Sequence, residues 1–307
     1  MDTERTAAEA FGLLSDATRL DILRTVARAQ NENGQRMAAD LSFSEIYDRV
    51  DVDGTSKLSY HLGELTGTFL RKHDEGYAFT HAGEQMVRFI LAENYRQPPD
   101  VGPVEADGTC LRCGEPGLEA VLQDQYFVLR CPDCGRPTFT YRVTPAQARS
   151  HAEADLVEAV TWELAGDLLK TRQGVCPDCA GRLDTDVIDL DDVPSGETVP
   201  TSFAAASECP ECLRYLGVPL SHAAAYHPES VAFHWEHGID IVGTGLWEFH
   251  DRLHDGRWST DRVGTDPDEY RVELERESAT LRLYLDDEAT VTRTEHVQSR
   301  DQRGRRS

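Results

Sequence analysis

Cys110-Leu111-Arg112-Cys113, followed after a spacer of 17 residues by Cys131-Pro132-Asp133-Cys134, is the stretch from which the fold is read. Each Cys-x-x-Cys makes a tight knuckle, and two knuckles bring four thiolates to one tetrahedral ion with Zn–S bonds of about 2.3 Å. Between them, Val121, Leu122, Tyr126, Phe127, Val128 and Leu129 suit ribbon strands. Cys176/Cys179 and Cys209/Cys212 repeat the knuckles across a longer spacer of 29 residues. These eight are all the cysteines of the chain. Two structural Zn2+ ions are expected, one on Cys110, Cys113, Cys131 and Cys134, the other on Cys176, Cys179, Cys209 and Cys212. Pairing of Cys131/Cys134 with Cys176/Cys179 across the blocks stays open at this point. A redox role would need one such motif at a strand-to-helix junction, where the helix N-terminus lowers a thiol pKa. Four paired motifs with Pro or Gly at the knuckles do not have that form.

Outward from the cysteines, the 307 residues carry a formal charge of −24, with only three lysines (Lys57, Lys72, Lys170) against 28 arginines. That excludes a uniformly basic nucleic-acid binder and reads as a protein of a salt-rich, halophilic archaeal cytoplasm. At about 1 M salt the Debye length is only about 3 Å, so such a charge need not open the fold. No stretch approaches the roughly 20 apolar residues of a membrane span, and no membrane partner is expected. The charged opening Met1-Asp2-Thr3-Glu4-Arg5-Thr6 leads into no apolar run, so no export signal is expected.

Residues 1–97 contain no cysteine and read as helices. Leu20, Leu23 and Ala27, flanked by Ile22 and Val26, form a stripe after a Ser15-Asp16 start. Ser42-Phe43-Ser44-Glu45 is a capping box. After the turn Asp51–Gly54, Leu58, Leu62 and Leu65 mark a helix at i, i+4 and i+7. Phe69–Lys72 and Tyr77–Thr80 read as a hairpin, and a last helix from His81 is expected to bury Met86, Val87, Ile90 and Leu91. That order is a winged helix-turn-helix. Advancing 100° per residue from the buried leucines points Ser56, Tyr60, Gly63 and Gly67 outward, with Lys57 and Ser59 on the flanks. His61 falls at the packed border. Short hydrogen-bonders, a cation and an aromatic are what a groove-reading helix presents. Arg71, Lys72 and His73 stand on the hairpin that presses on phosphates. The DNA-contacting set is therefore Ser56, Lys57, Ser59, Tyr60, Arg71 and Lys72.

Ala10-Phe11-Gly12-Leu13-Leu14-Ser15-Asp16-Ala17-Thr18-Arg19-Leu20-Asp21-Ile22-Leu23 resembles the opening of ArsR-like winged-helix transcriptional regulators, and Ser56-Lys57-Leu58-Ser59-Tyr60-His61-Leu62 resembles their recognition helix. The resemblance covers residues 5–95. It implies a homodimer that binds double-stranded DNA and regulates transcription. Metal-sensing members carry cysteines on these helices. Residues 1–109 have none, so sensing at that place is not implied. A winged helix followed by a zinc ribbon is also similar to archaeal transcription factor E, whose partner would be the transcription machinery.

The fold class expected is multidomain α+β: winged helix 1–97, linker 96–103, zinc ribbon 104–144, connecting helix 145–172 with Leu156, Val160, Leu164 and Leu168 at i+4 steps, and zinc ribbon 173–220. The second ribbon should carry an acidic loop from Asp184 to Glu197. A C-terminal α+β domain follows at 221–298. In it His227-Pro228 opens a helix closed by Gly238, and residues 270–294 alternate as an antiparallel meander. An Arg-rich tail, 299–307, is expected to be disordered. Six histidines, His222, His227, His234, His237, His250 and His254, crowd one stretch. A third metal site is the sharper reading, and packing beside Trp235, Trp247 and Phe249 the plainer one. No Ser/His/Asp order, phosphate-cradling loop or HExxH is present, so no enzyme is expected. An activity or effector pocket housed in the C-terminal region is the remaining alternative.

Overall fold

A computed structural model describes residues 5–32, 40–192, 199–277 and 279–298, and the chain divides into two compact units, 1–98 and 99–307. In the first, α1 (Ala7–Leu13) opens with a capping box in which the Glu9 carboxylate accepts the Thr6 N–H at 2.8 Å. Asp16 accepts the Arg19 N–H at 3.1 Å and so starts α2 (Ala17–Glu32), which buries Ile22, Leu23, Val26 and Ala27. Ser42 and Glu45 form the expected box on α3 (Phe43–Tyr47). α4 (Thr55–Leu65) buries Leu58, Leu62, Leu65 and His61. β1 (Leu70–Lys72) and β2 (Tyr77–Phe79) pair antiparallel, and Leu41 adds a bridge to Tyr77.

α5 (His81–Leu91) is capped by Thr80 and packs its Gly83 on the backbone of Phe69. Its buried positions are Gly83, Val87 and Ile90, at i, i+4 and i+7. Leu91 lies a further 100° round the helix and is exposed, and Met86 is only half-buried, so the expected burial of these two is corrected.

The second unit begins earlier than expected. Val101, assigned to the linker, already pairs with Leu122, because β3 (Val101–Thr109) starts there. β3, β4 (Pro116–Gln123), β5 (Tyr126–Arg130) and β6 (Pro137–Arg142) form an antiparallel meander. The single connecting helix is two: α6 (Pro145–Ser150) ends at His151, which leaves helical geometry, and α7 (Leu156–Thr171) buries Leu156, Val160, Leu164 and Leu168 as expected. The start of the acidic loop is also corrected. Asp184–Asp189 is a strand, β7, paired with β8 (Phe203–Glu208), since Thr185 and Val187 alternate with Asp184 and Asp186 and give it one inward face. Leu190–Asp192 is a 3-10 turn, and residues 193–198 lie outside the described ones.

β9 (Tyr215–Pro219) completes that sheet in the order β7-β8-β9. There follow α8 (Leu220–Ala225), α9 (Pro228–Glu236) with Pro at its first position and Gly238 at φ +74° behind it, and α10 (His250–His254). β10 (Trp258–Thr265), β11 (Asp268–Arg276), β12 (Ala279–Leu285) and β13 (Val291–Gln298) form the closing meander. It holds one strand, β10, ahead of the alternation read from the sequence. The tail 299–307 lies outside the described residues.

One apolar core runs through this unit, from Leu118 and Phe127 through Leu164, Leu220 and Trp247 to Trp258 and Leu283. The segments 104–144, 145–172, 173–220 and 221–298 therefore share a core. Trp247 is its pivot, with its ring 5.0 Å from Phe139 and 6.2 Å from Phe127.

Candidate metal centres and nucleic-acid interface

The meander decides which thiols meet. Its first and third turns fall at the same end of the sheet, and these turns carry Cys110–Cys113 and Cys131–Cys134. Cys110 Sγ stands 3.7 Å from Cys134 Sγ, and Cys113 Sγ 3.6 Å from Cys131 Sγ. In the second sheet one knuckle precedes β7 and the other follows β8, again at one end. Here Cys176 lies 3.5 Å from Cys212, and Cys179 3.5 Å from Cys209. Four sulfurs at about 2.3 Å from a tetrahedral ion stand about 3.8 Å apart, so both sets have the size zinc requires. Within each set the ligand atoms lie within 4.8 Å of one another. The chain thus has two structural tetracysteine zinc sites, and the pairing across blocks is excluded.

All four knuckles share one backbone turn. The residue after the second cysteine donates its N–H to the carbonyl of the first: Gly114 to Cys110 at 3.0 Å, Gly135 to Cys131 at 2.9 Å, Ala180 to Cys176 at 3.0 Å and Leu213 to Cys209 at 2.8 Å. Each of these four residues has φ between 60° and 78°. Burial pushes the Cys110 thiol up, but the N–H groups of Cys113 and Arg112 outweigh it and bring it down to about 7. The same balance, with the N–H groups of Cys179 and Asp178, brings Cys176 to about 7. One ligand in each set is therefore ready to ionise near neutral pH.

Around these sites stand groups that sequence reasoning missed. Asp167 on α7 is 4 % exposed and accepts from Tyr141 Oη at 2.5 Å and from Arg214 Nη2 at 3.3 Å, with Arg142 Nη2 at 3.5 Å. Arg142 also pairs with Asp178, which lies inside the Cys176–Cys179 knuckle, and Arg214 follows Cys212. This network joins the edge strand of the first ribbon to both knuckles of the second. Only the i, i+4 or i, i+3 spacing of charges is visible in a sequence, and these partners are 25 to 47 residues apart.

Three of the six histidines are buried, as in the plainer reading, but their aromatic neighbours are Trp258 and Phe233 and not the expected Trp235, Trp247 and Phe249. His222 and His234 are fully buried and pack beside Trp258, and His250, 4 % exposed, packs against His222, whereas Trp235 is exposed. Burial lowers their pKa values to about 3, 4 and 4. Among the described residues no metal-ligand group includes a histidine. Two of them brace the first zinc site instead: His250 Nδ1 donates to the Thr109 carbonyl at 2.9 Å and His254 Nε2 to that of Cys110 at 2.9 Å.

In the first unit Ser56, Lys57, Ser59 and Tyr60 are exposed on one side of α4, above the buried leucines, and Tyr60 is 58 % exposed. Lys57 has Asp53 at 3.8 Å, an exposed pair worth little. Arg71 and Lys72 are exposed on the hairpin, with Lys72 Nζ 5.8 Å from the Tyr77 ring, and His73 is tied to Asp40 at 2.9 Å. Arg19 braces α4 from α2: Nη1 donates to the Leu13 carbonyl at 3.3 Å and Nη2 lies 3.7 Å from Glu64. No helix among the described residues is long and apolar enough to cross a membrane.

Two sequence-family models match the chain. A domain of unknown function, DUF7347, covers residues 7–90, and a domain of unknown function, DUF7351, covers residues 107–291. No curated protein matches it. The second match spans both zinc sites and most of the closing meander, and so treats as one domain what shares one core.

Proposed function

For this chain, which belongs to the DUF7351 family, we propose sequence-specific binding of double-stranded DNA in transcriptional regulation. The observation that carries this reading is α4: Ser56, Lys57, Ser59 and Tyr60 project from a helix whose other side is locked down by Leu58, Leu62 and Leu65. The exposed Arg71 and Lys72 beside it are suited to phosphates. A homodimer is the working assembly, in keeping with the exposed Phe11 on α1, Phe89 on α5 and Tyr95 just beyond it. The zinc-stapled second unit serves as the partner or effector module, and the protein is no enzyme.

The test is titration on selected and scrambled duplexes at several salt concentrations. Each phosphate neutralised adds about −0.9 to the slope of log K against log salt. The few cations allow a shallow slope, and the acidic remainder repels DNA, so affinity rises from very low to moderate salt before falling. Lys72→Ala weakens all duplexes alike, while Tyr60→Ala and Ser56→Ala lower the preference for the selected sequence. Unchanged selective binding by a Lys57→Ala/Tyr60→Ala protein would show that α4 is not the reader.

A further inference from the structure

We infer that the second unit binds a small organic carboxylate with an apolar body, in the cavity between the end of α7, the Cys176–Cys179 hairpin and the β12–β13 turn. The cavity measures about 490 Å³, within the range of small-molecule sites. Leu168, Leu216 and Val218 give it an apolar floor. Arg172 and Arg182 line it, and among the described residues neither forms an ion pair. In this acidic unit that is unusual: Arg130, Arg142, Arg214, Arg257, Arg262, Arg271, Arg282 and Arg293 all have carboxylate partners. Against the two guanidiniums stands one lining carboxylate, the exposed Glu288.

The hydroxyls point the same way. Thr171 Oγ1 is buried without a hydrogen-bond partner. Thr185 Oγ1 and Ser207 Oγ share one bond of 2.8 Å, which uses one of their two protons and leaves the other for an acceptor. The C-terminal end of α7 would ordinarily repel an anion. Its last carbonyls, however, are taken by backbone donors: Leu168 by Arg172 at 2.9 Å, Lys170 by Gln173 at 2.9 Å and Thr171 by Gly174 at 2.8 Å. A carboxylate therefore finds planar bidentate donors and a free hydroxyl, and an apolar body finds the floor. The walls are fixed in advance. Leu183 N–H bonds the Gly174 carbonyl at 2.9 Å across the knuckle hairpin, and Val187 N–H bonds Asp287 at 2.9 Å, tying β7 to the β12–β13 turn.

The experiment is calorimetric titration of the zinc-loaded full chain, without DNA, so that its outcome is separate from that of the duplex titrations. The probes are benzoate, phenylacetate and hexanoate, with benzamide and hexanamide as uncharged counterparts and inorganic phosphate as an anion lacking an apolar body. At least one carboxylate is expected to saturate a single site and its amide to bind at least about tenfold more weakly. Arg172→Gln/Arg182→Gln should weaken the carboxylate by at least about tenfold, and Ala223→Phe, which fills the cavity, should block it, with zinc content unchanged in both. The inference is overturned if no carboxylate saturates below roughly 10 mM, if amide or phosphate binds as well as the acid, or if both variants bind like the parent.

Discussion

Replacing Asp167 by Ala removes the acceptor shared by Tyr141, Arg142 and Arg214, and it should be the most damaging surface-sparing change in the second unit. The carboxylate is 4 % exposed and takes bonds of 2.5 Å from Tyr141 and 3.3 Å from Arg214. Breaking a fully buried pair costs about 3–5 kcal/mol, because the partner charge is left uncompensated. Here the arginines keep some water, with side chains 34 % and 18 % exposed, so the expected loss is about 2–3 kcal/mol. With a urea m-value of about 2–3 kcal/mol/M for a unit of this size, the midpoint should fall by about 1 M. All four tryptophans, Trp162, Trp235, Trp247 and Trp258, lie in residues 99–307, so intrinsic fluorescence reads this unit alone. The control is zinc content, since Asp178 on the same network lies between two ligands. Arg214→Ala and the double variant complete a cycle, in which a coupling of about 1–2 kcal/mol is expected. A midpoint shift below about 0.2 M, or a double variant additive within about 0.3 kcal/mol, would refute the shared-acceptor argument.

Three further outcomes are expected. Metal analysis of protein purified without chelator should give about two zinc per chain, and strong chelation should abolish the native tryptophan emission while far-UV dichroism keeps the helices of residues 1–98, because metal binding there is folding free energy. Gly83→Ala should lower the stability of the first unit by about 2 kcal/mol despite the better helix propensity of Ala, since an added Cβ would stand 1.9 Å from the Phe69 carbonyl oxygen; a dichroism melt that rises would contradict the packing of α5. His222 and His234 are held neutral by burial, with pKa values of about 3 and 4, against an ordinary value near 6.5 when unfolded. Their stabilisation is whole above pH 6.5 and is lost as pH falls toward 4, at up to about 1.4 kcal/mol per pH unit each, so His222→Phe should flatten the dependence of stability on pH between 6 and 4.5 by that amount.

What was legible in the sequence is what depends on neighbours in the chain. The caps at Asp16 and Ser42 act within three residues. The stripe Leu58, Leu62, Leu65 needs only helical period, and a Cys-x-x-Cys knuckle closes on itself whatever surrounds it. Hence helices α2 to α5 of the first unit, the exposed side of α4 and the four knuckles could be read from spacing alone, whereas which knuckles share an ion is decided by the sheets that carry them. The boundary at Val101 could not, because a strand's first residue is fixed by the partner it finds, here Leu122, twenty-one residues on. Likewise β10 alternates too weakly on its own, with Thr260, Asp261, Arg262 and Val263 giving no apolar face, and exists because β11 pairs with it from Trp258 to Thr265.

The histidines show the same division most clearly. Their helical spacings suggested ligands facing one another, yet His250 and His254 turn to carbonyls 141 and 144 residues away, and in doing so hold the first knuckle from behind. For His250, 4 % exposed, a neutral imidazole donating to a carbonyl is the form that burial favours, since the charged form is penalised and one ring N–H is satisfied. The cluster that looked like a third metal site is thus better understood as support for one of the two that the cysteines form. The ribbons and the C-terminal region are bound into one unit by such crossings, His250 to Thr109 and Arg214 to Asp167, rather than by any run of residues that a reader moving along the chain would meet together.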